Sequence, residues 1–302
     1  MGFNVTILGI SAATPAYGRH LSAQVVEVED EVLLIDCGEG TQFQLLRYKL
    51  RFQKINRIFI SHLHGDHYFG LVGLLMTFGL NDRKEALHIY SPPGLEALLE
   101  RQLEGGVNYA LHFHESDPNQ SQVLYESKTL CVRSIPLVHR VPCHGFLVEE
   151  QLRSANMRKD KIKEYAIPYQ VINAIKEGGD YQTPDGETIP HEELTTPPAT
   201  PLRFAYCSDT RYQPNLKEYI EGVDLLYHEA TFLQEALAKA EKTQHTTAQE
   251  AGQLAAATHV KKLVLGHFSA RYLDLTPLLE EAQQFFEATE LAEEGKRLVL
   301  KD

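Results

Sequence analysis

The stretch Ile60-Ser61-His62-Leu63-His64-Gly65-Asp66-His67 sets three imidazoles and a carboxylate within the six positions from His62 to His67. The run before it, Ile55 to Ile60, alternates and is rich in Ile and Phe, so it is expected as a buried strand ending at Ser61. Side chains two apart on extended backbone point the same way, which puts His62 and His64 on one side. Gly65 permits a sharp turn, after which Asp66 and His67 can face a second point close by. Neutral imidazole and carboxylate are the ligands of a zinc ion kept open for catalysis, as opposed to one sealed by four thiolates. An isolated histidine on an apolar strand is usually a core residue, but this density calls for metal. Four ligands cannot fill two coordination spheres, so the others must come from elsewhere in the chain.

Composition narrows the setting. The 302 residues, 43% of them apolar, suffice for a sizeable core. No run of about 18 apolar residues and no charged-then-apolar leader pattern occurs, so neither a membrane span nor secretion is expected. Cys37, Cys131, Cys143 and Cys207 show no C-x-x-C spacing and suit a reducing cytoplasm. A net charge of −12 opposes broad nonspecific binding to nucleic acid, yet two local runs are basic. One contains Arg47, Lys49, Arg51, Lys54 and Arg57 with no acidic residue among them. The other contains Arg153, Arg158, Lys159, Lys161 and Lys163, diluted by Asp160 and Glu164. Each is either a solvated face or a phosphate-binding surface.

Along the chain, apolar runs repeatedly end in a potential ligand. Val32 to Ile35 delivers Asp36, which either caps its turn or supports a ligating histidine. Tyr68 to Leu80 is expected as a buried helix. Ser134-Ile135-Pro136-Leu137-Val138 leads to His139, the best candidate for a third imidazole on a first metal. Arg203 to Cys207 delivers Ser208-Asp209, and this Asp is placed to bridge two metals. Asp224 to Tyr227 ends in His228-Glu229-Ala230-Thr231, and Lys262 to Leu265 leads into Gly266-His267. His20, His88, His112, His114, His191 and His259 are assigned structural roles. Residues from about 151 to 200 break the rhythm with Pro- and Gly-rich turns, as an insertion that binds something would. Strands alternating with helices make the chain α/β.

With His62-x-His64-x-Asp66-His67, His139, Asp209 and His267 assembled, the chain resembles the metallo-β-lactamase fold, a four-layer αββα sandwich. Within it the sequence is similar to the ribonuclease Z family of tRNA 3′-processing endoribonucleases. Asp36-Cys37-Gly38-Glu39-Gly40-Thr41-Gln42, His228-Glu229-Ala230-Thr231-Phe232, His245-Thr246-Thr247 and His267-Phe268-Ser269-Ala270-Arg271-Tyr272 carry that narrower likeness. The resemblance implies two zinc ions per chain, one on His62, His64, His139 and Asp209, the other on Asp66, His67, Asp209 and His267. It further implies a precursor-tRNA substrate, a homodimer, and an arm at about residues 148 to 200 that grips the tRNA within one metallo-β-lactamase-like domain. Two positions depart from the family pattern: Ser208 replaces a glycine before the bridging Asp, and Tyr169 to Lys176 replaces a Gly-Pro, Gly-Lys pattern in the arm.

The chemistry expected is in-line hydrolysis of a phosphodiester with two metals and no protein nucleophile. Asp66 would position or deprotonate the attacking water. His245, in a polar loop outside the ligand set, would protonate the leaving oxygen, and Glu229 would orient it. Arg47, Lys49 and Arg51, together with the arm's Arg153, Arg158, Lys159, Lys161 and Lys163, would hold the RNA. A lactonase, a thioesterase or a general phosphodiesterase on the same fold would share the ligands without needing the arm. An RNA-binding module with vestigial sites would not fill every ligand position.

Overall fold

The structure is a computed structural model that describes residues 2–103 and 106–301. Among these, the strands outside residues 150–201 form two seven-stranded sheets. The first runs in the order Arg297–Leu300, Phe3–Gly9, Ala23–Val28, Glu31–Ile35, Ile55–Phe59, Leu87–Ser91, Leu111–Glu115. The second runs Thr289–Leu291, Leu263–Gly266, Leu225–Glu229, Arg203–Cys207, His144–Glu150, Leu130–Pro136, Val123–Glu126.

Most inner-strand positions are buried on both faces, the exposed Arg133 being an exception, which explains the near-continuous apolar runs. The period of two sorts them: Leu33, Ile35 and Phe59 join Phe146, Phe204 and Tyr206 in the core between the sheets. Their neighbours Val32, Leu34 and Ile58 face outward onto Leu71, Leu74, Leu75 and Phe78 of the helix Leu71–Leu80. On the far side of the second sheet, Ala248, Ala251 and Leu254 of the helix Ala248–Ala257 close the fourth layer. That helix starts with a capping box, Thr247 accepting from the Glu250 N–H while the Glu250 carboxylate accepts from the Thr247 N–H. The architecture is therefore the αββα sandwich of the metallo-β-lactamase type.

Glu31–Ile35, Ile55–Phe59 and Leu87–Ser91 are mutually parallel, as are Arg203–Cys207, Leu225–Glu229 and Leu263–Gly266. Carboxyl ends of neighbouring parallel strands open on one edge of a sheet, where ligands gather in α/β proteins. Asp36, His62, Asp209 and His267 all follow such ends. Three of them, Asp36, Asp209 and His267, hold the left-handed conformation with φ of 55°, 58° and 56°. That conformation is uncommon for a side-chain-bearing residue and turns each side chain out of its strand direction.

Residues Glu150–Pro201 form a separate compact unit. It has its own small core of Ile167, Ile175, Tyr181, Ile189 and Leu194 and two short two-stranded ladders, Asn156–Met157 with Thr195–Thr196 and Tyr181–Gln182 with Thr188–Ile189. The expected single buried helix from Tyr68 to Leu80 is instead two pieces, Gly65–Tyr68 and Leu71–Leu80. The break falls at Phe69-Gly70, where the Gly70 N–H donates to the Cys37 carbonyl. The second piece is not fully buried either, since it exposes Met76 and Leu80. No helix among the described residues is long and apolar enough to cross a membrane.

Candidate metal centre

At the strand ends, the histidine-rich turn of the first sheet meets three loops of the second. His62 Nε2 lies 3.0 Å from His64 Nδ1, which lies 3.3 Å from His139 Nε2. Nitrogens bound to one tetrahedral zinc at about 2.0–2.1 Å stand roughly 3.3 Å apart, so the three imidazoles already have the spacing of a shared ion. Asp209 sits between two groups. Its Oδ1 is 3.8 Å from His62 Nε2 and 3.6 Å from His139 Nε2, while Oδ2 is 2.9 Å from His67 Nε2 and 3.1 Å from His267 Nε2. One oxygen thus addresses each group. Asp66 Oδ2 completes the second, 3.5 Å from His67 Nε2 and 3.6 Å from His267 Nε2, and accepts the Ala13 N–H at 2.8 Å.

The opposite nitrogen of each buried imidazole has a partner that fixes the ring, as metal-ligating histidines require. His67 Nδ1 donates to Asp36 Oδ2 at 2.7 Å, His267 Nδ1 faces Thr231 Oγ1 at 3.0 Å, His139 Nδ1 faces the Gln244 carbonyl at 3.1 Å, and His62 Nδ1 faces Ser61 Oγ at 3.1 Å. Asp36 is itself held by the Ser61 N–H, the Ser61 hydroxyl and Tyr206 Oη. Its reading as support for a ligating histidine is the one the contacts match. Ser208 donates its hydroxyl to Asp209 Oδ2 at 3.2 Å.

The electrostatics of the pocket call for a cation. Burial pushes His62 well below its ordinary pKa, and the adjacent His67 adds to the effect. Burial likewise lowers His64 and His139, so these three rings are neutral, as ligands must be. Burial opposes ionisation of Asp66 and Asp209, yet neighbouring imidazoles, His67 foremost for Asp66 and His267 for Asp209, hold both carboxyls well below the usual range. His67 Nε2 and His267 Nε2 are buried without a hydrogen-bond partner and face these carboxylates. Buried charge and orphaned nitrogens of this kind are unfavourable unless an ion joins them. The donor set therefore fits two metal ions.

His245 stands beside the second group, with Nδ1 2.9 Å from Glu229 Oε1 and 3.1 Å from Oε2. Burial would lower its pKa, but the Glu229 carboxylate outweighs burial and raises it to about 9. The Glu229 carboxylate also accepts from the Thr210 N–H, the Thr231 hydroxyl and the Thr246 N–H, so it is fully tied down. His245 also lies close enough to Asp209 and His267 to count among possible ligands, Nδ1 being 3.9 Å from Asp209 Oδ1.

A cleft of about 700 Å³ opens over these groups, and Phe69, Arg140 and Lys239 line it together with Asp66, Asp209, His245 and His267. Neither Arg140 nor Lys239 belongs to a basic run, which is why sequence reasoning passed over them; Arg140 does adjoin His139, and that adjacency was a usable signal. Tyr206, Thr231 and Ser61 were passed over as well, because hydroxyls carry no spacing pattern. The first basic run lies elsewhere. Lys49 and Arg51 line another cavity, with Thr6, Glu27 and Arg297, and Arg47 packs over the Tyr48 ring. Arg57 packs over Tyr125 and approaches Glu31 at 3.8 Å. In the Glu150–Pro201 unit, Arg153 pairs with Glu150, Arg158 with Asp160, and Lys161 with Glu164 and Glu193, while Lys159 and Lys163 are exposed.

Comparison with known proteins follows the same lines. The family described as Anti-Pycsar protein Apyc1 matches residues 3–165. A protein called Ribonuclease Z from Phocaeicola vulgatus is 47% identical over 302 residues, covering 99% of this chain and 98% of the relative. Another so called, from Bacteroides fragilis, is 48% identical over 296 residues, covering 97% of each. Among solved structures, human tRNase Z, short form, superposes with a TM-score of 0.71 at 28% identity over 99% of this chain and 100% of that one. The first match stops inside the Glu150–Pro201 unit, whereas the ribonuclease Z relatives continue through it and the strands that deliver Asp209, Glu229 and His267. On that full-length likeness the chain belongs to the ribonuclease Z family.

Proposed function

We propose that the protein is a zinc-dependent endoribonuclease that removes the 3′ trailer from precursor tRNA, working in the cytoplasm as a homodimer with two zinc ions per chain. His62, His64, His139 and Asp209 would hold one ion, and Asp66, His67, Asp209 and His267 the other. The observation that carries the reading is Asp209 set between two imidazole groups, one oxygen toward each, with His245, held from behind by Glu229, in the same cleft. The full-length relatives named Ribonuclease Z support the choice of substrate.

Zinc bound there supplies Lewis-acid charge that acidifies water and neutralises oxygens at phosphorus. The chain's own residues do the rest. Asp66, fixed by the Ala13 N–H, orients the attacking water in line with the scissile bond. Arg140 and Lys239 draw the phosphate into the cleft. Glu229 holds Nδ1 of His245, which leaves Nε2 to deliver a proton to the departing ribose oxygen. Lys49, Arg51 and the cations of the Glu150–Pro201 unit bind the RNA backbone.

Incubating the purified protein with a precursor tRNA bearing a 3′ trailer tests this. Cleavage at the mature 3′ end, abolished by chelator and restored by zinc, is expected. Turnover of a lactone or thioester with the precursor left intact would replace this reading with a carbonyl hydrolase on the same fold.

A further inference from the structure

We propose that Phe69 is a stacking platform for a nucleobase next to the phosphodiester being cut, an inference that rests on the RNA-cleaving reading above. Phe69 ends the short turn of helix that carries Asp66 and His67, so its ring is placed by the same residues that place the ligands. It lines the cleft with Asp66, His64, Asp209 and His267. Yet Phe69 is 62% exposed, whereas His62, His67, Asp209 and His267 are all 2% exposed or less. An apolar ring kept open to water inside a charged cleft is unfavourable for the protein alone and favourable once a flat apolar partner covers it.

The ring packs on one side only. A Cβ on Gly65 would stand 2.6 Å from Phe69 Cζ and 2.7 Å from Cδ2, so the ring lies against bare glycine backbone. Tyr68 meets it edge-on, ring centroids 4.9 Å apart at 71°. One side of the ring is thus backed by the Gly65 turn, and the exposed surface faces the cleft. Phe232, the other aromatic ring in the lining, is only 4% exposed and is overlaid by Arg271 and Lys239, so it offers no such surface. Arg140 and Lys239 in the same lining supply charge for the flanking phosphates. An aromatic face beside paired cations is how proteins hold unpaired nucleotides, because every base has a π-face to stack.

The test couples a protein change to a substrate change. Phe69→Ala, Phe69→Leu and Phe69→Trp are each assayed on a precursor tRNA and on the same RNA with an abasic ribose at one or the other nucleotide flanking the cut. Phe69→Ala is expected to lower kcat/KM by about 5- to 100-fold, the range for one lost base–aromatic stack, with metal content unchanged. Phe69→Leu, which keeps apolar packing on Gly65 but has no π-face, is expected to match it, and Phe69→Trp to stay within about 3-fold of the parent. The intact protein should lose a similar factor on the abasic RNA, and the Ala and Leu variants should lose nothing further. Losses that simply multiply at both positions overturn the platform, as does a Phe69→Ala protein that changes oligomeric mass, which would assign the ring to contact between copies. An intact protein that leaves the precursor uncut fails at an earlier point and removes the RNA-cleaving reading together with the platform.

Discussion

Tyr206 Oη donates a hydrogen bond of 2.6 Å to Asp36 Oδ2, across the interface between the two sheets. Both residues are buried, and the same oxygen accepts from His67 Nδ1. The second sheet therefore fixes a carboxylate of the first, and through it the ring of a candidate ligand. Tyr206→Phe removes one oxygen and little volume. It should cost about 1.5–3 kcal/mol in urea unfolding, the range for a hydrogen bond to a charged group. Metal affinity measured by chelator competition should fall about 10-fold, the low end for losing a group behind a ligand. If both quantities stayed at parental values, Asp36 would be held well enough by Ser61 alone.

The division between ligands and the Glu229–His245 pair is open to direct measurement. Protein purified without chelator should carry two zinc equivalents per chain. His64→Ala should lose metal and activity together. His245→Ala should keep its metal while cleavage slows by roughly 10² to 10⁴, the contribution of a general acid. The proximity of His245 to Asp209 and His267 makes this a sharp comparison. Equal zinc loss in both variants would turn His245 into a ligand.

The region around the metal centre was legible to the extent that its chemistry is written in residue types. His62, His64, Asp66 and His67 announce themselves by density, and His139, Asp209 and His267 by their positions after apolar strands; the structure brings all seven together. Strand boundaries followed from period and β-branching, with Arg203–Cys207 expected and found at the same bounds. The rest depends on tertiary placement. Nothing in the spacing of Tyr206 and Asp36 announces a contact 170 positions apart. The helix break at Phe69-Gly70 was hidden because Tyr68 to Leu80 is apolar at nearly every position, while the break arises from the close passage of Cys37 and Gly38. Clusters of positive charge were legible, but which cations are consumed by neighbouring acids was not.

Gly70 offers a test of that passage. A Cβ there would stand 2.9 Å from the Cys37 carbonyl oxygen and 3.0 Å from the Gly38 carbonyl carbon, both backbone atoms with little room to yield. Cys37 in turn donates its N–H to the His67 carbonyl at 2.7 Å. Gly70→Ala should therefore destabilise by about 1–3 kcal/mol, as overpacking does, and weaken metal binding as well. A variant with parental unfolding midpoint and metal content would show that this loop can move freely.

Residues Glu150–Pro201 have their own core, so they should be separable. Replacing about residues 152 to 196 with a short Gly-Ser linker should leave hydrolysis of bis(p-nitrophenyl) phosphate within a few-fold, since loop closure changes by only about 1 kcal/mol. Precursor cleavage should fall far more. Parental cleavage and salt dependence in the shortened protein would mean that the unit does not dock RNA.

Within that unit the ion pairs predict unequal roles. Lys161 bridges Glu164 and Glu193 at 3.0 and 2.9 Å, a structural task, whereas Lys159 and Lys163 are exposed. Lys159→Glu with Lys163→Glu should weaken precursor binding and reduce the slope of log affinity against log salt by about one per lost phosphate contact. An unchanged slope would leave these lysines as solvated surface.

The two sheets divide the cluster unevenly along the chain, and this bears on how the protein is made. His62, His64, Asp66 and His67 emerge early on the first sheet, but Asp209 and His267 follow strands of the second. The outermost strand of the first sheet, Arg297–Leu300, must also travel back to pair with Phe3–Gly9. Contacts of such long sequence separation form slowly, because loop closure precedes any gain from them. A nascent chain stopped before Asp209 would display four of the imidazoles, those of His62, His64, His67 and His139, and the acid Asp66, with nothing to bridge them. The full donor set is thus assembled only once the chain has passed His267, so tight capture of ions by this cluster would be a late folding event.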